Sequence, residues 1–72
     1  MSLKIEIYTK LKGSKKWLLK HRAYHSVYIP ISYHCVLAKR EGAYYTKCTS
    51  DKLVYFKHFK HYDLKGVYTY VS

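Results

Sequence analysis

Leu3, Ile5 and Ile7 alternate with Lys4, Glu6 and Tyr8, the period of two that marks a strand with one buried and one wet face. Lys12-Gly13-Ser14 follows as a turn signal. From Trp17 the odd positions read Trp17, Leu19, His21, Ala23, His25, Val27, Ile29, Ile31, Tyr33, Cys35 and Leu37, while the even ones from Lys20 to His34 are mostly polar or aromatic. Alternation held that long predicts extended structure. It must break near His25-Ser26 or at Pro30, because proline cannot donate to a central ladder.

Parity sets the first hairpin. An odd-length loop around Gly13 places Ile7 opposite Leu19, Ile5 opposite His21 and Leu3 opposite Ala23, which keeps the apolar faces together and sets Glu6 across from Lys20. Arg40-Glu41-Gly42 is the second turn, between Val36-Leu37-Ala38 and Ala43-Tyr44-Tyr45, and Thr49-Ser50-Asp51-Lys52 is the third. Residues 51–64 read two ways: a helix capped by Ser50 or Asp51 and closed by Gly66, with Tyr55, Phe56, Phe59 and Tyr62 on one face, or a strand favoured by aromatic richness. Val67 to Val71 alternates and closes the chain as a strand.

With no repeat, linker or low-complexity tract, the 72 residues form a single compact basic domain over 1–72. The expected class is all-β, a five- to six-stranded antiparallel barrel or curved sheet of SH3-like or OB-like size; a helical 51–64 shifts it to α+β. At this length the core is small, so tyrosine rings must serve partly as core with their hydroxyls reaching water.

Charge and aromatic content then direct the reading toward a partner. Fourteen Lys and Arg oppose four acids, a net charge of +10, and no carboxylate stands between Glu6 and Glu41. A stretch that cannot neutralise itself calls for an anionic partner: nucleic acid, an acidic protein or an anionic surface. The ten tyrosines interleave with the cations, as in Lys4-x-x-x-Tyr8-x-Lys10, Arg22-x-Tyr24, Lys39-Arg40-x-x-x-Tyr44-Tyr45-x-Lys47 and Tyr55-x-Lys57. On a strand, such spacing lets Lys meet phosphate while Tyr stacks a base. Two Arg are too few for bidentate base reading across a duplex.

The expectation is a non-enzymatic, weakly sequence-specific domain that binds RNA or single strands. Its candidate residues are Lys10, Lys12, Lys15, Lys16, Arg22, Tyr24, Tyr28, Lys39, Arg40, Tyr44, Tyr45 and Lys47. The rings from Tyr24 to Tyr45 are expected mostly to serve binding and those past residue 50 mostly to build the core. The alternative is a small phage- or virus-encoded module that docks its basic face on an acidic host protein.

Catalytic and metal chemistry find less support. Four isolated carboxylates offer no acid–base pair, no phosphate loop or nucleophile elbow is present, and no cofactor is implied. A metal-independent ribonuclease using His58, Lys60, His61 and Tyr62 is the one catalytic alternative, though nothing in the spacing singles these residues out. His21-x-x-x-His25 and His58-x-x-His61 have ligand-like spacing but no Cys-x-x-Cys to anchor them, so no metal site is assigned.

Met1-Ser2 leads directly into alternating sequence without an apolar signal region, and no run is long enough to span a bilayer. The expectation is a cytoplasmic protein in which Cys35 and Cys48 are two buried, inert thiols. If the Glu41-Gly42 turn closes symmetrically, the same two residues fall opposite one another and a disulfide becomes geometrically open to them.

Overall fold

The computed structural model describes residues 2–26 and 29–71. Five strands, β1 (Ser2–Leu11), β2 (Leu18–His25), β3 (Tyr45–Cys48), β4 (Lys52–His58) and β5 (Tyr62–Val71), form one antiparallel sheet of order β2-β1-β5-β4-β3. Among the described residues a single helix, α1 (Ile31–Arg40), packs on one of its faces. The mostly β class and the count of five antiparallel strands match the sequence expectation, as an open sheet edged by β2 and β3.

The helix lies at 31–40, where alternation predicted a strand, and not at 51–64. Ile31, Tyr33, Cys35 and Leu37 satisfy a period of two, but Ile31, Cys35 and Ala38 also satisfy i, i+4, i+7, and it is Ile31 and Ala38 that are buried. Pro30 occupies the N-cap, and Lys39 and Arg40 place positive charge beside the last carbonyls. Gly42, at φ 93°, turns the chain toward β3 in a conformation that disfavours side-chain-bearing residues. Segment 51–64 instead makes β4, a short turn closed by Phe59 N–H to Tyr62 O at 2.9 Å, and the start of β5. As a strand it sends Leu53 and Tyr55 into the core and Phe56 to the other face, a division a helix could not make.

The first hairpin keeps its parity but slides by two residues. Leu3 pairs with His25, Ile5 with Ala23 and Ile7 with His21; the register then shifts so that Tyr8 meets Leu19, leaving Lys20 as an extra residue. The cause is a longer connection, since β1 runs to Leu11 and β2 begins at Leu18. The opposite-charge pair across this ladder is therefore Glu6 with Arg22, not Lys20, joined by hydrogen bonds from Arg22 Nε at 3.1 Å and Nη2 at 3.0 Å. The expected end of the strand at His25 holds.

Leu3, Ile31, Ala38, Leu53 and Tyr55 form the buried core between helix and sheet, flanked by Ile5, Cys35, Leu64, Tyr68 and Tyr70. Cys35 of α1 and Cys48 of β3 are joined in a disulfide, which corrects the expectation of two free thiols. Helix packing, not a cross-strand register, brings them together. No helix of the described residues is long and apolar enough to cross a membrane.

Candidate nucleic-acid interface

Because side chains alternate across a sheet, the residues of β1 that do not meet the helix, Lys4, Glu6, Tyr8 and Lys10, all emerge on the opposite, helix-free face. The ladders extend each of them into a row. Tyr8 pairs with Leu19 on β2 and Lys65 on β5, Lys65 with Phe56 on β4, and Phe56 with Tyr45 on β3. One row, Leu19, Tyr8, Lys65, Phe56 and Tyr45, thus crosses all five strands. With neighbouring strands about 4.8 Å apart it is roughly 19 Å long.

The rings along this row hold one another in place. Phe56 packs against Tyr45 at a centroid distance of 5.6 Å and against Trp17, from the β1–β2 connection, at 5.8 Å. Lys65 lies over Tyr8 at 4.8 Å and over Trp17 at 5.3 Å, and Lys10 reaches the same indole at 5.4 Å. Tyr44 stacks on His58 at 4.0 Å, nearly parallel at 9°. Alternating cations and π-faces offer phosphate and base contacts within one side chain's reach of each other.

Further rows flank this one. On one side Lys10, Asp63 and His58 pair across β1, β5 and β4; on the other lie Arg22, Glu6, Val67, Val54 and Lys47, then Tyr24, Lys4, Thr69 and Lys52. The two carboxylates on this face are buried and enclosed by cations. Burial opposes the Glu6 charge, but the Arg22 hydrogen bonds, Lys4 at 3.8 Å and the Tyr8 hydroxyl together hold its carboxyl below the usual range. Hydrogen bonds from Lys12 and His58 hold Asp63 well below it, against the opposing effect of burial, with Lys10 at 3.5 Å. Among the described residues Lys47, Lys52 and Lys65 make no ion pair with a carboxylate, so the face presents net positive charge.

The residues singled out from sequence divide. Lys10, Arg22, Tyr24, Tyr45 and Lys47 stand on the helix-free face, Tyr44 and Lys12 join its His58–Asp63 end, and Lys15 and Lys16 are exposed in the β1–β2 connection beside it. Lys39 and Arg40 are exposed at the end of α1, on the helix side. Tyr28 lies outside the described residues. Tyr55 and Lys57 form a cation–π pair, but on the helix side, with Lys57 also 3.8 Å from Glu41.

Tyr8, Trp17, Phe56 and Lys65 are not among the sequence candidates, and they occupy the centre of the array. Phe56 is absent from those candidates because the rings past residue 50 are expected mostly to build the core. That division holds for Tyr55, Tyr68 and Tyr70 and fails at Phe56. The signal that could have found it is local: Val54 and Phe56 alternate with Leu53 and Tyr55, so one pair must face away from the core. Among the described residues no three His, Cys, Asp or Glu side chains are placed to hold a metal ion. No family model, curated protein or solved structure matches this chain.

Proposed function

We propose that the protein is a nucleic-acid-binding domain that takes single-stranded RNA or DNA on its helix-free sheet face, with weak sequence preference. The observation that carries this reading is the row Tyr8, Lys65, Phe56 and Tyr45, with Trp17 packed on it. Aromatic faces tolerate any base, so about two or three bases can stack along such a row while Lys10, Lys47, Lys52 and Lys65 meet the backbone. A duplex would present its phosphates but hide its base faces from these rings. Binding alone asks nothing of a metal or cofactor.

Isolation of the tagged protein from its native cell, with and without nuclease, tests the reading. Recovery of nucleic acid, lost on nuclease treatment, is the expected result. A stable complex with one acidic protein, indifferent to nuclease and to Phe56→Ala, would replace this reading by the docking of the basic face on a protein partner.

A further inference from the structure

His58 and Asp63 face one another across the β4–β5 ladder, with His58 Nδ1 2.8 Å from Asp63 Oδ1. A carboxylate oxygen can only accept, so Nδ1 carries the proton and donates it, and the lone pair of the neutral ring falls on Nε2. The parallel Tyr44 ring at 4.0 Å fixes the imidazole plane a second way. The His58 side chain is nonetheless 59% accessible, so the ring is held without being buried. Two ammonium groups accompany it: Lys10 is 3.5 Å from the second Asp63 oxygen, and Lys12 contacts Asp63 Oδ1 and stands 3.2 Å from His58 Nδ1. Through Tyr44, which also packs on Phe56, the cluster joins the side of the aromatic row.

We propose that His58 is the general base of an RNA-cleaving site along this side of the row, a proposal that rests on reading the row as a single-strand interface. Nε2 takes the proton of a ribose 2′-hydroxyl, the 2′ oxygen bonds to the adjacent phosphorus, and the bond from phosphorus to the 5′ oxygen breaks. The bonding pair leaves with the 5′ oxygen, which takes a proton from water, and the His58 imidazolium returns its own proton to solvent. The products are a 2′,3′-cyclic phosphate and a 5′-hydroxyl end, and no metal or redox partner enters the balance. Lys10 and Lys12 supply positive charge for the phosphate oxygens as charge builds on them. Asp63 is a positioning residue that fixes the tautomer and orientation of the ring. The substrate class is RNA, because the nucleophile is the 2′-hydroxyl.

The test incubates the whole protein, in excess chelator, with an end-labelled single-stranded RNA, and measures binding separately with the 2′-deoxy strand of the same sequence. A positioned general base contributes about 10²–10⁴ in rate, so His58→Ala should slow cleavage at least about 10²-fold. Its affinity for the deoxy strand should change far less than the rate. His58→Gln, which retains a hydrogen-bonding side chain beside Asp63, should be equally inactive and guards against loss of fold. Asp63→Asn should slow cleavage and Asp63→Glu should recover part of the loss, which a purely structural carboxylate would not require. Deoxy-strand binding with the RNA left intact would overturn the cleavage proposal alone, as would undiminished cleavage by His58→Ala. Binding of neither strand would overturn the underlying interface reading and this proposal with it.

Discussion

The ring of Tyr55 lies across Gly66, its partner on the β4–β5 ladder, so closely that a Cβ at position 66 would overlap the ring. A glycine in a central strand ordinarily weakens the sheet; here the ring covers it and fills the space under the helix. Gly66→Ala should therefore destabilise by about 1–3 kcal/mol, as overpacking does. Urea unfolding followed by circular dichroism checks this. Because Gly66 faces the helix side, oligonucleotide affinity of the folded fraction should not change.

The same burial pushes the Tyr55 phenol far above its ordinary value, with Tyr68 and then Glu41 adding to the shift. The folded state favours the neutral phenol. The resulting stability is fully present below about pH 10, the unfolded tyrosine value, and is lost as pH rises from there through the higher folded value. Alkaline unfolding of Tyr55→Phe should begin at higher pH than that of the parent, measured as the unfolding midpoint in urea between pH 9 and pH 12.

His34 of α1 has its ring edge-on to Tyr68 at 5.3 Å, and its buried Nε2 has no hydrogen-bond partner among the described residues. Burial lowers its pKa, so stability is present above the unfolded value of about 6.5 and declines as pH falls through the folded value. A second decline belongs to Glu6 and Asp63, whose lowered values place it below the unfolded carboxylate range near pH 4. His34→Phe should flatten the first decline and leave the second in place.

The Cys35–Cys48 bond ties α1 to the edge strand across 13 residues of chain. Closing a loop of that size is worth about 3 kcal/mol in the chain-entropy account. Reduction, or the double substitution Cys35→Ser with Cys48→Ser, should lower stability by about 2–3 kcal/mol. The helical circular-dichroism signal should weaken before the sheet signal.

Much of the sheet is legible in the sequence because short-range chemistry specifies it. Leu3, Ile5 and Ile7 alternate, Gly13 at φ 86° turns the chain, and 67–71 alternates again within β5. The helix was hidden because Ile31, Cys35 and Ala38 belong to a stretch that satisfies both periods, and only packing against Leu53 and Tyr55 selects between them. The hairpin slid because a bulge at Lys20 and a long connection cannot be read from hydrophobic parity. The proposed interface is half legible for a related reason. Composition shows that cations and rings are interleaved, but only the ladders show that Tyr8, Lys65, Phe56 and Tyr45 form one row while Lys39 and Arg40 leave for the other side.

That division predicts an asymmetry in binding. Phe56→Ala and Tyr45→Ala should each cost about 1–3 kcal/mol in affinity for a single strand. Lys39→Ala combined with Arg40→Ala, on the helix, should cost less than either although it removes two charges. Equilibrium titrations at one fixed salt concentration, on variants whose circular dichroism matches the parent, check the comparison.

Trp17 is the chain's single tryptophan and packs on Phe56 at the centre of the proposed interface, so its fluorescence reports occupancy of the site directly. Single-stranded RNA titrated into the protein should change Trp17 emission saturably. If about five phosphates are neutralised, the logarithm of the association constant should fall with log salt at a slope of about −3 to −4. Unchanged Trp17 emission with excess strand at low salt, or binding indifferent to salt, would contradict the assignment of this face to nucleic acid.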